Sequence, residues 1–162
     1  MSSAPFSIAI IDDDPMMSQL LEDLIGRKFP NAHAIKYGTG EEALASGFDA
    51  DIVILDYQLD TVKPDALNGI QVLKKLKQKN SDLPVVFLSG QDRLEVATNT
   101  VKFGAYDYIV KNDTTFAKLE NSITNILELR SLRKSSKTQT VWNTIFWTLI
   151  AILFGYIVYL KM

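Results

Sequence analysis

The stretch Asp51-Ile52-Val53-Ile54-Leu55-Asp56 is apolar through its middle and closes on a carboxylate. An unbroken apolar run of this length, with no polar alternation, reads as a strand buried on both faces, as in a parallel sheet. A charge at the end of such a strand is costly to bury and calls for a role. Two other apolar runs end in charge. Phe6-Ser7-Ile8-Ala9-Ile10-Ile11 leads into Asp12-Asp13-Asp14, and Tyr108-Ile109-Val110 leads into Lys111.

Outward from this stretch, apolar runs at 6–11, 32–37, 51–56, 84–89 and 106–110 alternate with amphipathic stretches at 15–28, 40–47, 68–79, 92–103 and 114–134. The pattern predicts a βα unit repeated five times. Strands separated by helices must be parallel, because a parallel pair needs a crossover, and helices then cover both sheet faces. In the first helix Pro15 stands where its missing N–H is harmless, and Met16, Leu20, Leu21, Leu24 and Ile25 are expected on the inward face. Asn68-Gly69 leads into Ile70, Val72, Leu73 and Leu76, with Lys74, Lys75 and Lys77 expected toward water. Ligand sites of such sheets lie beyond the carboxyl ends of the strands, where strand order reverses. Asp12, Asp56, Ser89 and Lys111 all follow strand ends and are expected to converge there.

Composition narrows the chemistry. The chain has 162 residues, enough for one domain of roughly 100–150 residues and an appendage. Formal net charge is −2 and basic residues are scattered until 130–137, so direct nucleic-acid binding is not expected. With no cysteine and His33 as the one histidine, thiolate chemistry and the usual zinc sites are excluded, and hard oxygen chemistry remains. The start, Met1-Ser2-Ser3-Ala4-Pro5, lacks the basic and apolar regions of a signal peptide, so the folded part is expected in the cytoplasm.

Three neighbouring carboxylates repel unless a cation intervenes, and Mg2+ takes oxygen ligands, preferring one or two carboxylates together with phosphate. Asp13 and Asp56 suit that role, with Asp12 acting through water or as a partial ligand. Phosphoryl transfer needs a nucleophile and cationic groups on the phosphoryl oxygens. Asp56 is the candidate nucleophile, Lys111 and the metal supply positive charge, the Ser89 hydroxyl can donate to a phosphoryl oxygen, and Gly90 permits close backbone approach. Other roles exist for each: Asp12 and Asp14 as helix caps, Ser89 as a cap for the helix near Asp92, Lys111 as a solvated strand-end lysine, Tyr108 as a plain core aromatic.

Taken together these residues resemble the receiver domains of two-component response regulators, over residues 6 to about 128. That family has an acidic pair after the first strand, a phosphoacceptor Asp after the third, Ser or Thr after the fourth and Lys after the fifth; here these are Asp12-Asp13, Asp56, Ser89 and Lys111. The resemblance implies a flavodoxin-like (βα)5 doubly wound sheet in the order 2-1-3-4-5. It also implies phosphoryl transfer from a histidine kinase or phosphotransfer protein to Asp56 with Mg2+ bound, the main-chain carbonyl of Gln58 as a further metal ligand, and Tyr108 as a rotamer switch. The chain departs from the family in two places. The loop from Tyr57 to Asn68 is longer by about five residues, placing Gly69 thirteen after the acceptor where the family has glycine at eight. Lys111 precedes Asn112 and not the usual cis proline, and since a non-proline cis bond costs about 2.5–4 kcal/mol, a trans bond is expected. Phosphatases of the haloacid dehalogenase type also use a strand-end Asp, but need an acid two residues later, where this chain has Gln58. No enzymatic turnover is expected beyond self-phosphorylation from a phosphodonor and self-dephosphorylation.

From Val141 to Leu160 the chain carries no charge. As a helix it is about 30 Å long, the thickness of a bilayer core. Trp142 and Tyr159 lie near its ends, and Arg130, Arg133, Lys134 and Lys137 precede it. The expected organisation is a receiver at 1–130, a basic polar linker at 131–140 and a single transmembrane helix at 141–160 that holds the receiver on the inner face of the cytoplasmic membrane. Ala151-xxx-Gly155 is a small-residue pair through which a homodimer of low affinity is expected. Output is expected through an unknown downstream protein partner; the alternative is a phosphorylation-independent interaction or scaffolding module at the membrane.

Overall fold

The structure, a computed structural model, describes residues 4–47, 49–59, 66–90 and 94–161, and within these the side chains of 94–96, 134–145 and 151–161 fall outside the description. The chain divides into two units, Met1–Ile123 and Thr124–Met162.

In the first unit β1 (Phe6–Ile11), β2 (Ala32–Tyr37), β3 (Ile52–Asp56), β4 (Val85–Ser89) and β5 (Asp107–Val110) alternate with α1 (Pro15–Lys28), α2 (Gly40–Ala45), α3 (Gly69–Lys79), α4 (Leu94–Lys102) and the start of α5 (Thr115–Lys161). The strands form one parallel sheet in the order β2-β1-β3-β4-β5, the arrangement that the resemblance implied. Every residue of β3 and β4 is buried, which is why neither shows polar alternation. Successive side chains leave opposite faces. Ala9, Ile11, Val53, Leu55, Val85 and Phe87 join Ala43 of α2 and Val72, Leu73 and Leu76 of α3 in one core cluster. Ile8, Ile10, Ile52 and Ile54, of opposite parity, are equally buried, as are Leu21, Leu24 and Ile25 of α1 and Leu119 and Ile123 of α5. A 3.1 Å ion pair between Lys28 and Glu120 joins α1 to α5 on that side.

Two assignments from the sequence, the inward face of α1 and the outward face of α3, are corrected. In α1 the buried set is Ser18, Leu21, Leu24 and Ile25, at spacings of three and four, whereas Met16 is 73% exposed and Leu20 45%. These two lie off the buried stripe because Ser18, small enough to be buried there, defines its N-terminal end. In α3 Lys74 and Lys75 are exposed, but Lys77 folds back so that its Nζ donates to the carbonyls of Ser81 (3.1 Å) and Leu83 (2.6 Å). Burial depresses its pKa, which the Asp82 charge partly opposes.

The second unit is the remainder of α5. The helix runs without interruption through 131–140, the stretch expected as a separate linker. Among the described residues no helix is long and apolar enough to cross a membrane. Of the expected span 141–160, only residues 146–150 have described side chains, and all five are exposed; the rest of that expectation, the Ala151 and Gly155 pair included, lies outside the described side chains.

Candidate functional site

The chain leaves β1 to form β2 at the sheet edge and returns to form β3 on the other side of β1, so strand order reverses between β1 and β3. Asp12 follows β1 and Asp56 ends β3 at the mouth of this crevice, with registered neighbours Ile11 and Leu55 just below. Ser89 ends β4, and Lys111 follows β5. Four side chains from distant parts of the sequence therefore share one end of the sheet.

Lys111 Nζ lies 2.9 Å from Asp56 Oδ1 and 3.2 Å from Asp12 Oδ2, bridging the two strands. Asp12 is 3% and Asp56 5% exposed. Burial raises the Asp56 carboxyl above the usual carboxylate range; Lys111 opposes this, and the Asp12 charge adds to it. Burial likewise raises Asp12, against the N–H of Asp14 and the Lys111 ammonium. For Lys111 burial favours the neutral amine, but the Asp56 and Asp12 carboxylates outweigh it and its pKa is raised. Burial is the main cause of both carboxyl shifts, and the two carboxylates that share the ammonium are the cause of the lysine's.

Ligand oxygens of Asp12, Asp13 and Asp56 all lie within 4.8 Å of one another. Three hard oxygen donors, two of them with carboxylates destabilised by burial, fit a divalent cation of the magnesium or calcium type. Asp13 is half-buried and borders a cavity of about 210 Å3 shared with Asp12, Pro15, Ser18, Lys36, Tyr37 and Gly38, so this edge of the cluster opens to solvent.

The first acid of the run has a distinct job from the third. Asp14 caps α1, its Oδ1 accepting from the N–H of Met16 at 2.8 Å. Asp12 Oδ1 accepts from the N–H of Asp14 at 2.9 Å, which fixes that carboxylate and leaves its other oxygen toward Lys111. Ser89 is fully buried and its carbonyl accepts from the N–H of Lys111 at 2.7 Å, tying the two strand ends together. Gly90 is exposed, and among the described residues a Cβ there would meet Gln58 Oε1 at 3.7 Å, an ordinary contact. Gln58 is exposed and follows Asp56 by two residues. Tyr108 is half-buried with its ring 6.4 Å from that of Phe87 and inclined by 18°; Tyr57 packs on Phe87 at 6.2 Å.

No cis peptide occurs among the described residues. Asn112 shapes the turn after Lys111: its Oδ1 accepts from the N–H of Thr114 at 2.9 Å, and its own N–H donates to Thr115 Oγ1 at 2.7 Å. Residues 60–65 of the long loop lie outside the described residues, but its return is defined. Gly69 N–H donates to the carbonyl of Tyr57 at 3.1 Å, so Gly69 closes onto β3 despite the longer excursion.

Residues 8–124 match the family described as the response regulator receiver domain. The chain belongs to this family. The receiver is 30% identical over 104 residues to the nitrogen assimilation regulatory protein NtrX of Azorhizobium caulinodans, covering 64% of this chain and 22% of that one. It is 28% identical over 109 residues to the probable transcriptional regulatory protein TcrX of Mycobacterium tuberculosis, covering 66% and 44%. The chain thus spans less than half the length of these curated relatives. Among solved structures, the receiver domain protein of Clostridium thermocellum aligns with TM-score 0.67 at 23% identity over 78% of this chain and 98% of that one. A chain from the CheX-CheY-BeF3-Mg+2 complex of Borrelia burgdorferi aligns with TM-score 0.66 at 22% identity, over 76% and 90%. At these identities the structures establish the shared receiver fold.

Glu41 and the return of the loop to Gly69 were not picked out as site features in the sequence. Glu41 is one more acid in the first turn of a short helix, and its partner is a main-chain N–H. Gly69 carried a signal, a glycine after a polar cap, but not its distance from Asp56.

Proposed function

We propose that Asp56 accepts a phosphoryl group from a phosphohistidine on a sensor histidine kinase or phosphotransfer protein. The observation that carries the reading is the buried Asp56 carboxylate at the end of β3, held 2.9 Å from Lys111 in a cluster with two further acids. A carboxylate oxygen of Asp56 forms the new O–P bond as the P–N bond to imidazole breaks, the bonding pair leaving with the imidazole nitrogen. Lys111 follows the charge as it moves onto the phosphoryl oxygens, and the Ser89 hydroxyl donates to one of them. Asp12, Asp13, Asp56 and the Gln58 main-chain carbonyl would hold Mg2+, which when bound offsets the negative charge of the carboxylates and the phosphoryl group. Family membership supports this reading.

Phosphorylation shifts Ser89, Tyr108 and the surface of α4 and β5 between two arrangements, and that surface signals by contact with a downstream protein. Val101, Phe103 and Tyr106 are exposed there at 59%, 38% and 39%, apolar area suited to a partner. The uncharged segment 141–160, with Phe146, Trp147 and Leu149 more than half exposed, supports a single-pass membrane tether with the receiver on the cytoplasmic side.

Incubation with magnesium and acetyl phosphate tests the central step. A hydroxylamine-sensitive acyl phosphate is expected on the wild type and not on Asp56→Asn. Absence of an Asp56-dependent acyl phosphate sinks the reading and favours a phosphorylation-independent interaction module.

A further inference from the structure

We propose that Glu41 is a positioning residue for the main chain that brings the Gln58 carbonyl to the metal, an inference that rests on the magnesium reading above. Three consecutive N–H groups at the end of the long loop each have a fixed acceptor. Leu67 N–H donates to Glu41 Oε1 at 2.6 Å, Asn68 N–H to Gln71 Oε1 at 3.0 Å, and Gly69 N–H to the Tyr57 carbonyl at 3.1 Å. The second belongs to the capping box of α3, in which Asn68 Oδ1 accepts from the N–H of Gln71 at 3.0 Å. The third joins α3 to β3. The first is different in kind, because its acceptor is a carboxylate on another helix, 26 residues away, and a charge-assisted bond of this type is about twice as strong as a neutral one.

Its place in the chain gives this bond leverage. A Cβ on Gly69 would lie 2.3 Å from the Asp56 carbonyl oxygen and 2.9 Å from Tyr57 Cα, so this end of the loop presses on the backbone of the acceptor residue. The Gly69 bond to the Tyr57 carbonyl fixes the plane of the Tyr57–Gln58 peptide and with it the course of the chain into Gln58. Tyr57 is held on its other side by its N–H to the Leu88 carbonyl at 2.9 Å. Glu41 is itself placed by α2, whose Thr39 cap accepts from the N–H of Glu42 at 3.2 Å. Releasing Leu67 loosens the loop end that keeps Gly69 against Tyr57, and the Gln58 carbonyl loses pre-organisation. Partners that orient ligands without touching the metal change affinity by roughly 10–100-fold.

The test uses the full chain in detergent micelles, with Glu41→Ala and with Glu41→Gln, which keeps an oxygen acceptor. In metal-free protein, amide exchange at Gly69 is expected to accelerate about tenfold in Glu41→Ala while the Ile54 amide in β3 is unchanged, in keeping with local opening. Calorimetric titration with magnesium is expected to show affinity lowered by about tenfold in Glu41→Ala and largely recovered in Glu41→Gln. Wild-type magnesium affinity in Glu41→Ala overturns the inference, and so does equal acceleration at Gly69 and Ile54, which marks general loss of stability. No magnesium binding by the wild type overturns the reading of the site itself, a result distinct from binding that the substitution leaves alone.

Discussion

Gly69 opens α3 so close to the end of β3 that a side chain on it would overlap the carbonyl oxygen of Asp56, at 2.3 Å. The same Cβ would meet Phe87 Cζ and Tyr57 Cα at 2.9 Å each. The excursion between Tyr57 and Asn68 therefore ends on the backbone of the residue from which it started.

That contact predicts a large cost for a single methyl. Gly69→Ala is expected to destabilise the protein by about 2–3 kcal/mol, in the range for overpacking, because two of the three obstructing atoms are backbone and cannot rotate away. Gly90→Ala, whose new Cβ meets Gln58 Oε1 at 3.7 Å and nothing closer among the described residues, is expected to change stability by less than about 0.5 kcal/mol. Urea denaturation of the two variants checks this, and equal midpoints would refute it.

The charge surplus predicts opposite effects for its two signs. Asp56→Asn removes one buried acid and leaves Lys111 paired with Asp12 at 3.2 Å, so a gain of about 1 kcal/mol is expected at neutral pH. Lys111→Met leaves Asp12 and Asp56 facing each other without their cation and is expected to cost about 3 kcal/mol. Denaturation midpoints measured without divalent metal decide it; destabilisation by Asp56→Asn would show that the acids are not in surplus.

The direction of these shifts sets a pH dependence. Asp12 and Asp56 bind protons more tightly in the folded than in the unfolded chain. Stability is therefore expected to fall as pH rises from the ordinary carboxylate value through their raised values. Lys111, also raised, contributes stability that persists through neutral pH and is lost only above the ordinary lysine range. Magnesium must displace the protons that the two acids retain, so its affinity is expected to rise with pH through the mildly acidic range and then level off. Titrations across that range check it, and a pH-independent affinity would contradict it.

The sheet was legible because burial on both faces stamps a strand with an unbroken apolar run, as in Ile52–Leu55 and Val85–Leu88. Charges ending such runs marked the candidate site, Asp56 above all, since a carboxylate closing a strand buried on both faces is costly to bury. What remained hidden was set by geometry without a periodic imprint. Met16 and Leu20 share the composition of the buried face of α1 but not its angle. Lys77 reads as a surface lysine until the turn at Ser81–Leu83 offers carbonyls within reach of its ammonium. Glu41 reads as a favourable acid at a helix start, which it is, and nothing local announces that its carboxylate holds the N–H of Leu67. The helix that continues through 131–140 was hidden for another reason: polar, charged residues there are as compatible with a solvated helix as with a linker.

The tail supplies a final prediction. Four large apolar side chains, Phe146, Trp147, Leu149 and Ile150, are exposed at 57%, 64%, 60% and 40% within a segment that carries no charge from Val141 to Leu160. In water such a surface is expected to drive association, whereas in a bilayer it is solvated by lipid. Replacing Leu149 and Ile150 together by Asp costs insertion about 2.5–3.5 kcal/mol per charge at a helix centre. The doubly substituted chain is therefore expected to leave the carbonate-resistant membrane fraction, while acetyl phosphate still labels Asp56. Recovery of the wild type in the soluble fraction as a dispersed monomer would show that these side chains are covered by protein and not by lipid.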